Sequence, residues 1–96
     1  MNNIGKVLKE IREQRKLTQA DVAKKLKLHQ SHVSRVESGF YEPDSVTMRK
    51  FAKLYGVPVA ILIWKATGEK DVQPSKLKAF KKLKPAVDNL IAEFFK

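Results

Sequence analysis

The chain has 96 residues, and its 20 lysines and arginines outnumber 10 aspartates and glutamates, which gives a formal net charge of +10. An excess of that size on a chain suited to one domain favours a polyanionic partner, above all nucleic acid. The absence of cysteine excludes disulfides and thiolate metal sites. The charged opening stretch is unlike a signal peptide, and no apolar run is long enough to cross a bilayer. We therefore expect a cytoplasmic protein without a membrane partner.

Two amphipathic helices are predicted in the first third of the chain. The first, ending before Leu17, has an apolar face made of Ile4, Val7, Leu8 and Ile11. Thr18 is placed to cap the second helix, with Asp21 at the reciprocal position of a capping box. The apolar face of this second helix consists of Val22, Ala23 and Leu26.

The next two predicted helices are separated by the loop sequence FYEPD. The third helix runs through HQSHVSRVESG, residues 29–39, and Gly39 is suited to its C-terminus. Pro43 cannot continue a helix, and Asp44 or Ser45 can cap the fourth. We expect the core face of that helix to consist of Val46, Phe51, Ala52, Leu54 and Tyr55, and Gly56 to end it.

The remainder of the chain is also predicted to be helical. A fifth helix carries VAILIWKAT, with Pro58 in its first turn, and ends near Gly68. Residues 68–75 resemble a linker in composition. Beyond them we predict a short lysine-rich helix, and a further helix starting at Pro85. The predicted organisation is an all-α domain over residues 1–67, a linker over 68–75 and a helical extension over 76–96.

The third helix carries the residues that point to a function. On a helical wheel of about 100° per residue, Val33 and Val36 share the side that must face the core. Polar side chains occupy the opposite side and its flanks, namely Gln30, Ser31, His32, Ser34 and Arg35. The acid Glu37 falls beside the valines. Such a face can read base edges in a DNA major groove, since Arg suits guanine and Gln suits adenine; an ordinary solvated helix face is the alternative.

Three other kinds of chemistry find less support in the sequence. His29 and His32 could share a helix face as metal ligands, but no third ligand is evident nearby. Ser31 and Ser34 lack a visible orienting acid or oxyanion site for a hydrolase. We therefore predict no enzyme, no metal and no cofactor. The stretch SKLKAFKKLKP could lie on a membrane surface, pack on the domain with its lysines in solvent, or contact DNA phosphates.

The run from LTQADVA through SHVSRVESG and EP to KFAKLYGVP closely resembles the helix-turn-helix domain of the phage repressor/Cro family, also called the xenobiotic-response-element (XRE) family. The resemblance covers roughly residues 4–66, and the blocks follow one another in the family's order and spacing. It implies a five-helix, lambda-repressor-like domain that carries a short C-terminal extension.

The family resemblance also implies roles for individual residues. Gln30, Ser31 and Arg35 match positions that commonly touch bases, and His32 and Ser34 match positions that touch bases or phosphates. The DNA backbone is expected to be contacted by Thr18, Gln19, Ser38 and Tyr41, and Gln19 also to support the reading helix. Arg12 and Glu37 match a structural ion pair between the first and third helices.

Two positions depart from the family pattern. Lys27 stands in the turn where the family usually has glycine, which accepts a positive φ freely. His29 stands where the third helix is often capped by Ser or Thr. Both departures bear on the tilt of the third helix.

The resemblance predicts a sequence-specific transcriptional regulator, a dimeric repressor that reads a two-fold symmetric DNA operator. Two alternatives stay open: an antitoxin or protein-interaction module whose C-terminal segment binds a partner such as a toxin, and a non-specific nucleic-acid binder. Apolar residues in excess of a five-helix core suggest where a homodimer would form. These dimerisation candidates are Ile61, Leu62 and Trp64 in the fifth helix and Leu90, Ile91 and Phe94 in the extension. The alternative is that the extension folds back and covers the fifth helix within one chain.

Overall fold

A computed structural model describes residues 3–96, and all regular elements in that range are helical. The α-helices are α1 (Ile4–Gln14), α2 (Gln19–Leu26), α3 (Gln30–Glu37), α4 (Ser45–Tyr55), α5 (Val59–Ala66) and α6 (Leu77–Ile91). Short 3-10 helices span Glu69–Asp71, Pro74–Lys76 and Ala92–Phe95. The predicted all-α class is confirmed. Within the described range, no helix is both long enough and apolar enough to span a membrane.

Side-chain caps fix the first turns of α2 and α4. Thr18 accepts a hydrogen bond from the Asp21 N–H at 3.0 Å, and the Asp21 carboxylate accepts one from the Thr18 N–H at 2.9 Å, so the predicted capping box is confirmed. Asp44 caps α4 by accepting from the Thr47 N–H at 2.8 Å. The backbone N–H that each carboxylate accepts from lowers the pKa of Asp21 and of Asp44, because this hydrogen bond stabilises the charged form. Pro58 precedes α5 as its N-cap, one position earlier than expected.

Two lysines adopt the left-handed conformation at helix ends. Lys27 has φ 58°, as its place in the family's tight turn implied, and Lys16 after α1 has φ 57°. Each conformation costs on the order of 1 kcal/mol for a residue with a side chain. The N–H groups of Leu17 and Leu28 then bond back into the preceding helix at 3.1 and 2.9 Å. These bonds satisfy helix carbonyls that would otherwise lack partners, which offsets the strain.

The core lies where the first five helices meet. Helix α1 packs against α3, α4 and α5, and α2 packs against α3 and α4. The largest fully buried side chains are Leu8, Ile11, Val22, Val33, Val36, Phe51, Val57 and Leu62. Since Leu62 is fully buried within its own chain, it has no surface left for a second copy, and its assignment as a dimerisation residue is wrong.

Helices α1 and α3 approach each other unusually closely at Gly5. A methyl group placed on Gly5 would lie 2.2 Å from the Val36 carbonyl oxygen and 2.9 Å from that of Glu37. Both distances are too short for a carbon atom to occupy. Only glycine therefore allows the C-terminal end of α3 to rest on the first turn of α1.

A buried ion pair joins the same two helices further along α1. Arg12 donates to both carboxylate oxygens of Glu37, from Nε at 2.7 Å and from Nη2 at 3.0 Å. Its remaining Nη1 donates to the Leu17 carbonyl at 2.8 Å. The hydrogen bond to Glu37 is the main cause that raises the pKa of Arg12, so the guanidinium stays charged. The predicted Arg12–Glu37 pair is thus present, and all its polar groups are bonded.

Tyr55 is buried in the core, close to the charges of this pair. Burial, followed by the nearby charge of Glu37, raises the pKa of its phenol to about 12. Its hydroxyl has no hydrogen-bond partner among residues 3–96. The side chain therefore contributes a neutral ring to the core, where it packs on Phe51 at 6.0 Å between centroids.

The extension differs from the predicted pair of helices. A single helix, α6, continues through Pro85, which lies in its interior and not at the start of a new helix. The reason is that residues on both sides of the proline bind the same partner. Lys84 donates to the Trp64 carbonyl at 2.8 Å, and Asp88 accepts from Trp64 Nε1 at 3.1 Å. These two contacts hold the helix together across the one backbone hydrogen bond that proline cannot make.

The extension folds back on its own domain. The Trp64 ring lies 5.9 Å from that of Phe80, and the Lys84 ammonium lies 4.8 Å from the Trp64 ring centroid. At the chain end, Phe95 packs against the core beside α1 and receives Lys65 over its ring at 5.3 Å. Trp64 thus finds its partners within one chain. The expected linker between α5 and α6 contains two 3-10 helices.

We predict that Glu37→Ala lowers the free energy of unfolding by roughly 3–5 kcal/mol, because it leaves the buried Arg12 guanidinium without its counter-charge. Glu93→Ala is the matched control. It removes a carboxylate that lies 2.9 Å from Lys96 but is 82% exposed, and we expect no measurable change. Urea unfolding followed by circular dichroism measures both. Equal stability of Glu37→Ala and the wild type would contradict a structural role for the pair.

Candidate nucleic-acid interface

The outer face of α3 carries the polar residues that the wheel assigned to it. Val33 and Val36 are fully buried beneath this helix. Opposite the valines lie Ser31 and Arg35, which are exposed, and Ser34, which is partly exposed; the flanks carry the exposed Gln30 and the partly exposed His32. The Glu37 side chain is only 2% exposed and is neutralised by Arg12. The face is therefore polar and positively charged, and the acid of the helix is turned away from it.

Gln19, the first residue of α2, links this helix to the end of α3. Its side-chain amide donates to Glu37 at 3.1 Å, the same carboxylate that Arg12 binds. Helices α1, α2 and α3 are therefore fixed to one another through a single acidic side chain. The neighbouring cap residue Thr18 is exposed at the α2 N-terminus, where free N–H groups and the helix dipole favour an anion.

The segment after α3 places three more side chains beside the outer face of α3. Ser38 donates from its hydroxyl to the Arg35 carbonyl at 3.1 Å. The Tyr41 ring lies 5.3 Å from the imidazole of His32 in an edge-on arrangement. Phe40, which was not among the expected site residues, is 74% exposed, and the Arg35 guanidinium carbon lies 5.8 Å from its ring centroid. Helical periodicity could not reveal Phe40, because the residue lies in a loop.

His29 begins α3 through its backbone, since its carbonyl accepts hydrogen bonds from the His32 N–H at 3.0 Å and the Val33 N–H at 3.3 Å. Its backbone is extended, as an N-cap requires, but its side chain makes no capping hydrogen bond. The departure from the family's Ser or Thr thus leaves the first N–H groups of α3 available to an outside acceptor. Nowhere along residues 3–96 do three or more potential ligand side chains gather into a group that could hold a metal ion.

Comparisons with known proteins agree with this geometry. The helix-turn-helix family model matches residues 8–62. The chain is similar to the immunity repressor protein of Bacillus phage phi105, at 33% identity over 73% of this chain and 49% of that protein. It is also similar to the HTH-type transcriptional regulator ImmR of Bacillus subtilis (strain 168), at 35% identity over 66% of this chain and 50% of that protein. The chain thus spans about half the length of these relatives. No solved structure matches it significantly.

The matched segment runs from the middle of α1 into α5, so it contains the α2–α3 unit, the capping box and the Arg12–Glu37 pair. More than half of the chain is therefore accounted for by one family. The chain belongs to the helix-turn-helix family of the phage repressor (XRE) type, a family of DNA-binding transcriptional regulators.

Proposed function

We propose that this chain is a sequence-specific, double-stranded DNA-binding transcriptional regulator that acts in the cytoplasm as a dimeric repressor and inserts α3 into the major groove. The observation that carries the proposal is the outer face of α3. Gln30, Ser31 and Arg35 are exposed there, while the acid of the same helix is buried and paired. A carboxylate on that face would repel the DNA phosphates, so the burial of Glu37 away from it favours DNA binding.

Each residue of the face suits a particular acceptor or donor on DNA. The Arg35 guanidinium can donate two parallel hydrogen bonds to the O6 and N7 atoms of guanine, and the Gln30 amide can pair with N6 and N7 of adenine. Ser31 can donate to or accept from either base. Ser34, on the face, and His32, at its flank, suit contacts with bases or phosphate oxygens. These contacts would supply sequence preference.

Contacts to the sugar-phosphate backbone would set the position of α3. The proposed contact residues flank the helix on both sides, namely Thr18, Gln19, Ser38 and Tyr41. The net charge of +10 supplies a favourable field for such contacts, because each neutralised phosphate releases counterions. The relatives' names describe a repressor and a transcriptional regulator. These names support transcriptional regulation as the role of DNA binding in those proteins, and we propose the same role for this chain.

We predict that Arg35→Ala and Gln30→Ala each lose roughly 1–3 kcal/mol of discrimination between specific and scrambled DNA. The probe is a duplex that the wild-type protein selects from a random library, and fluorescence anisotropy gives both affinities. Arg49→Ala is the matched control: it removes the same charge from an exposed position on α4, so it should leave the ratio unchanged. Unaltered discrimination in both α3 variants would refute the reading role of these residues.

The proposed dimer requires a self-complementary surface, and α6 offers one. Its exposed apolar residues Leu83 and Leu90 are 50% and 80% exposed, and Phe94, in the 3-10 helix that follows α6, is 40% exposed. Leu83, Val87 and Leu90 are spaced by four and three residues, which places them in one stripe along α6, and Phe94 follows them in the 3-10 helix. The other candidates are less available, since Ile61 packs against the core and Trp64 is covered by α6. Ile91 is partly buried.

The charges of α6 favour an antiparallel arrangement of two copies. Lysines are concentrated before Pro85, whereas Asp88 and Glu93 follow it. A two-fold axis crossing the stripe near its centre would place the basic half of one helix beside the acidic half of the other. Such a pair of stripes would be short, so we expect a dimer that DNA binding strengthens.

We predict that the double variant Leu90→Ser/Phe94→Ser becomes monomeric while its helical circular dichroism persists, because both side chains are exposed in the single chain and lie outside the core. Analytical ultracentrifugation measures the change. Ile63→Ser is the comparison variant, since Ile63 is 43% exposed beside a separate apolar groove of about 360 Å³ between α4 and α5. If Ile63→Ser dissociates the dimer and the double variant does not, the interface lies at that groove.

The exposed apolar stripe of α6 also favours an antitoxin as a second candidate function, because a protein partner such as a toxin could bind it. The ultracentrifugation experiment separates the two possibilities. A wild-type protein that stays monomeric at high concentration, both free and on the selected duplex, would argue for a partner surface in place of a dimer.

We further predict a two-fold symmetric operator whose half-sites lie about one helical turn apart, because a symmetric dimer presents two α3 helices. Footprinting on the selected duplex measures this arrangement. Affinity should also fall steeply with salt concentration. A single asymmetric half-site would rule out the dimer, and equal affinity for selected and random duplexes would identify a non-specific nucleic-acid binder.

A further inference from the structure

Phe40 is an apolar side chain that the fold does not use. It is 74% exposed, and it lies outside both the core and the hydrophobic residues that pack against the core. Exposure of a phenyl ring to water is unfavourable, and the ring lies beside Arg35 on the outer face of α3. Its ring contacts are with Arg35 of α3 and with the neighbouring Tyr41.

The main chain fixes Phe40 next to Arg35. The Phe40 N–H donates to the Arg35 carbonyl at 2.9 Å, and Gly39, with φ 80°, makes the turn that allows it. Ser38 binds the same carbonyl through its hydroxyl at 3.1 Å. The backbone of the loop is thus tied to Arg35 before any ligand arrives, and the Phe40 ring extends from a defined position.

The ring makes one contact with a charged group. The guanidinium carbon of Arg35 lies 5.8 Å from the Phe40 centroid, a distance at which a cation is attracted to an aromatic face. The Phe40 ring also lies 6.1 Å from that of Tyr41, at an angle of 65°. Tyr41 in turn lies 5.3 Å from His32. Two consecutive aromatic residues therefore each contact one polar side chain of the reading face.

We infer that Phe40 is a positioning residue for Arg35: its ring holds the guanidinium in the orientation from which it reads a base. This inference rests on the proposed DNA-binding function and adds a residue that determines its specificity. A free arginine side chain samples many rotamers and loses that freedom on binding. Because the Phe40 ring restricts those rotamers in the unbound protein, Arg35 loses less conformational freedom when it binds a base. This raises the affinity for a duplex with the correct base more than for one with an incorrect base, where Arg35 is not held.

The experiment compares the wild-type protein with Phe40→Ala, Phe40→Leu and Phe40→Trp, on the selected duplex and on its scrambled counterpart. Phe40→Ala and Phe40→Leu should lower the ratio of the two affinities by about 3- to 10-fold, because neither offers an aromatic face. Phe40→Trp should preserve the ratio, since indole binds cations at least as well as phenyl. Because residue 40 is exposed, the melting temperatures of all three variants should match the wild type.

A double-mutant cycle with Arg35→Ala tests whether Phe40 acts through Arg35. In the Arg35→Ala background, the further change Phe40→Ala should have no effect on the ratio. Three results would overturn the inference. The first is that Phe40→Ala lowers the affinity ratio as much in the Arg35→Ala background as in the wild type. The others are that Phe40→Ala weakens binding equally on both duplexes, or that it leaves the affinity for both unchanged. If the wild-type protein itself selects no sequence, the proposed function fails, and that result is distinct from the other three.

Discussion

The bidentate hydrogen bond between Arg12 and Glu37 is the contact on which the arrangement of the first three helices depends. The carboxylate accepts both guanidinium bonds and a third from Gln19, so α1, α2 and α3 meet at one buried group. A buried charge is unfavourable unless it is fully bonded, and here the donors come from two different helices. Any shift of α3 along or about its axis would break at least one of these bonds, which limits the helix to one tilt.

The constraint at Glu37 is reinforced by backbone geometry. At Gly5, the absence of a side chain lets the carbonyls at the end of α3 lie directly on α1. Lys27 accepts a left-handed conformation so that α2 and α3 can join through a tight turn. These features cost conformational freedom and some strain, and together they hold the exposed face of α3 in place. In our proposal a rigid helix of this kind is what allows a few polar side chains to distinguish bases.

The first five helices could be predicted from the sequence because their signals are local. The spacing of valines on α3 placed Glu37 inside, and the family resemblance supplied Arg12 as its partner. The sequence did not reveal features that depend on contacts between distant segments. Pro85 normally suggests a helix start, and only the two contacts with Trp64 explain why α6 continues through it. Phe40 was missed for a similar reason, since its neighbour Arg35 becomes visible only when the loop is folded.

The most direct test of the central claim, that the face of α3 enters the major groove, is a dimethyl sulfate protection experiment on the duplex selected by the wild-type protein. The reagent methylates guanine at N7 in the major groove and adenine at N3 in the minor groove. Insertion of α3 into the major groove predicts protection of guanine N7 in each half-site, and loss of that protection with Arg35→Ala. Protection confined to adenine N3, or none at guanine N7, would contradict it.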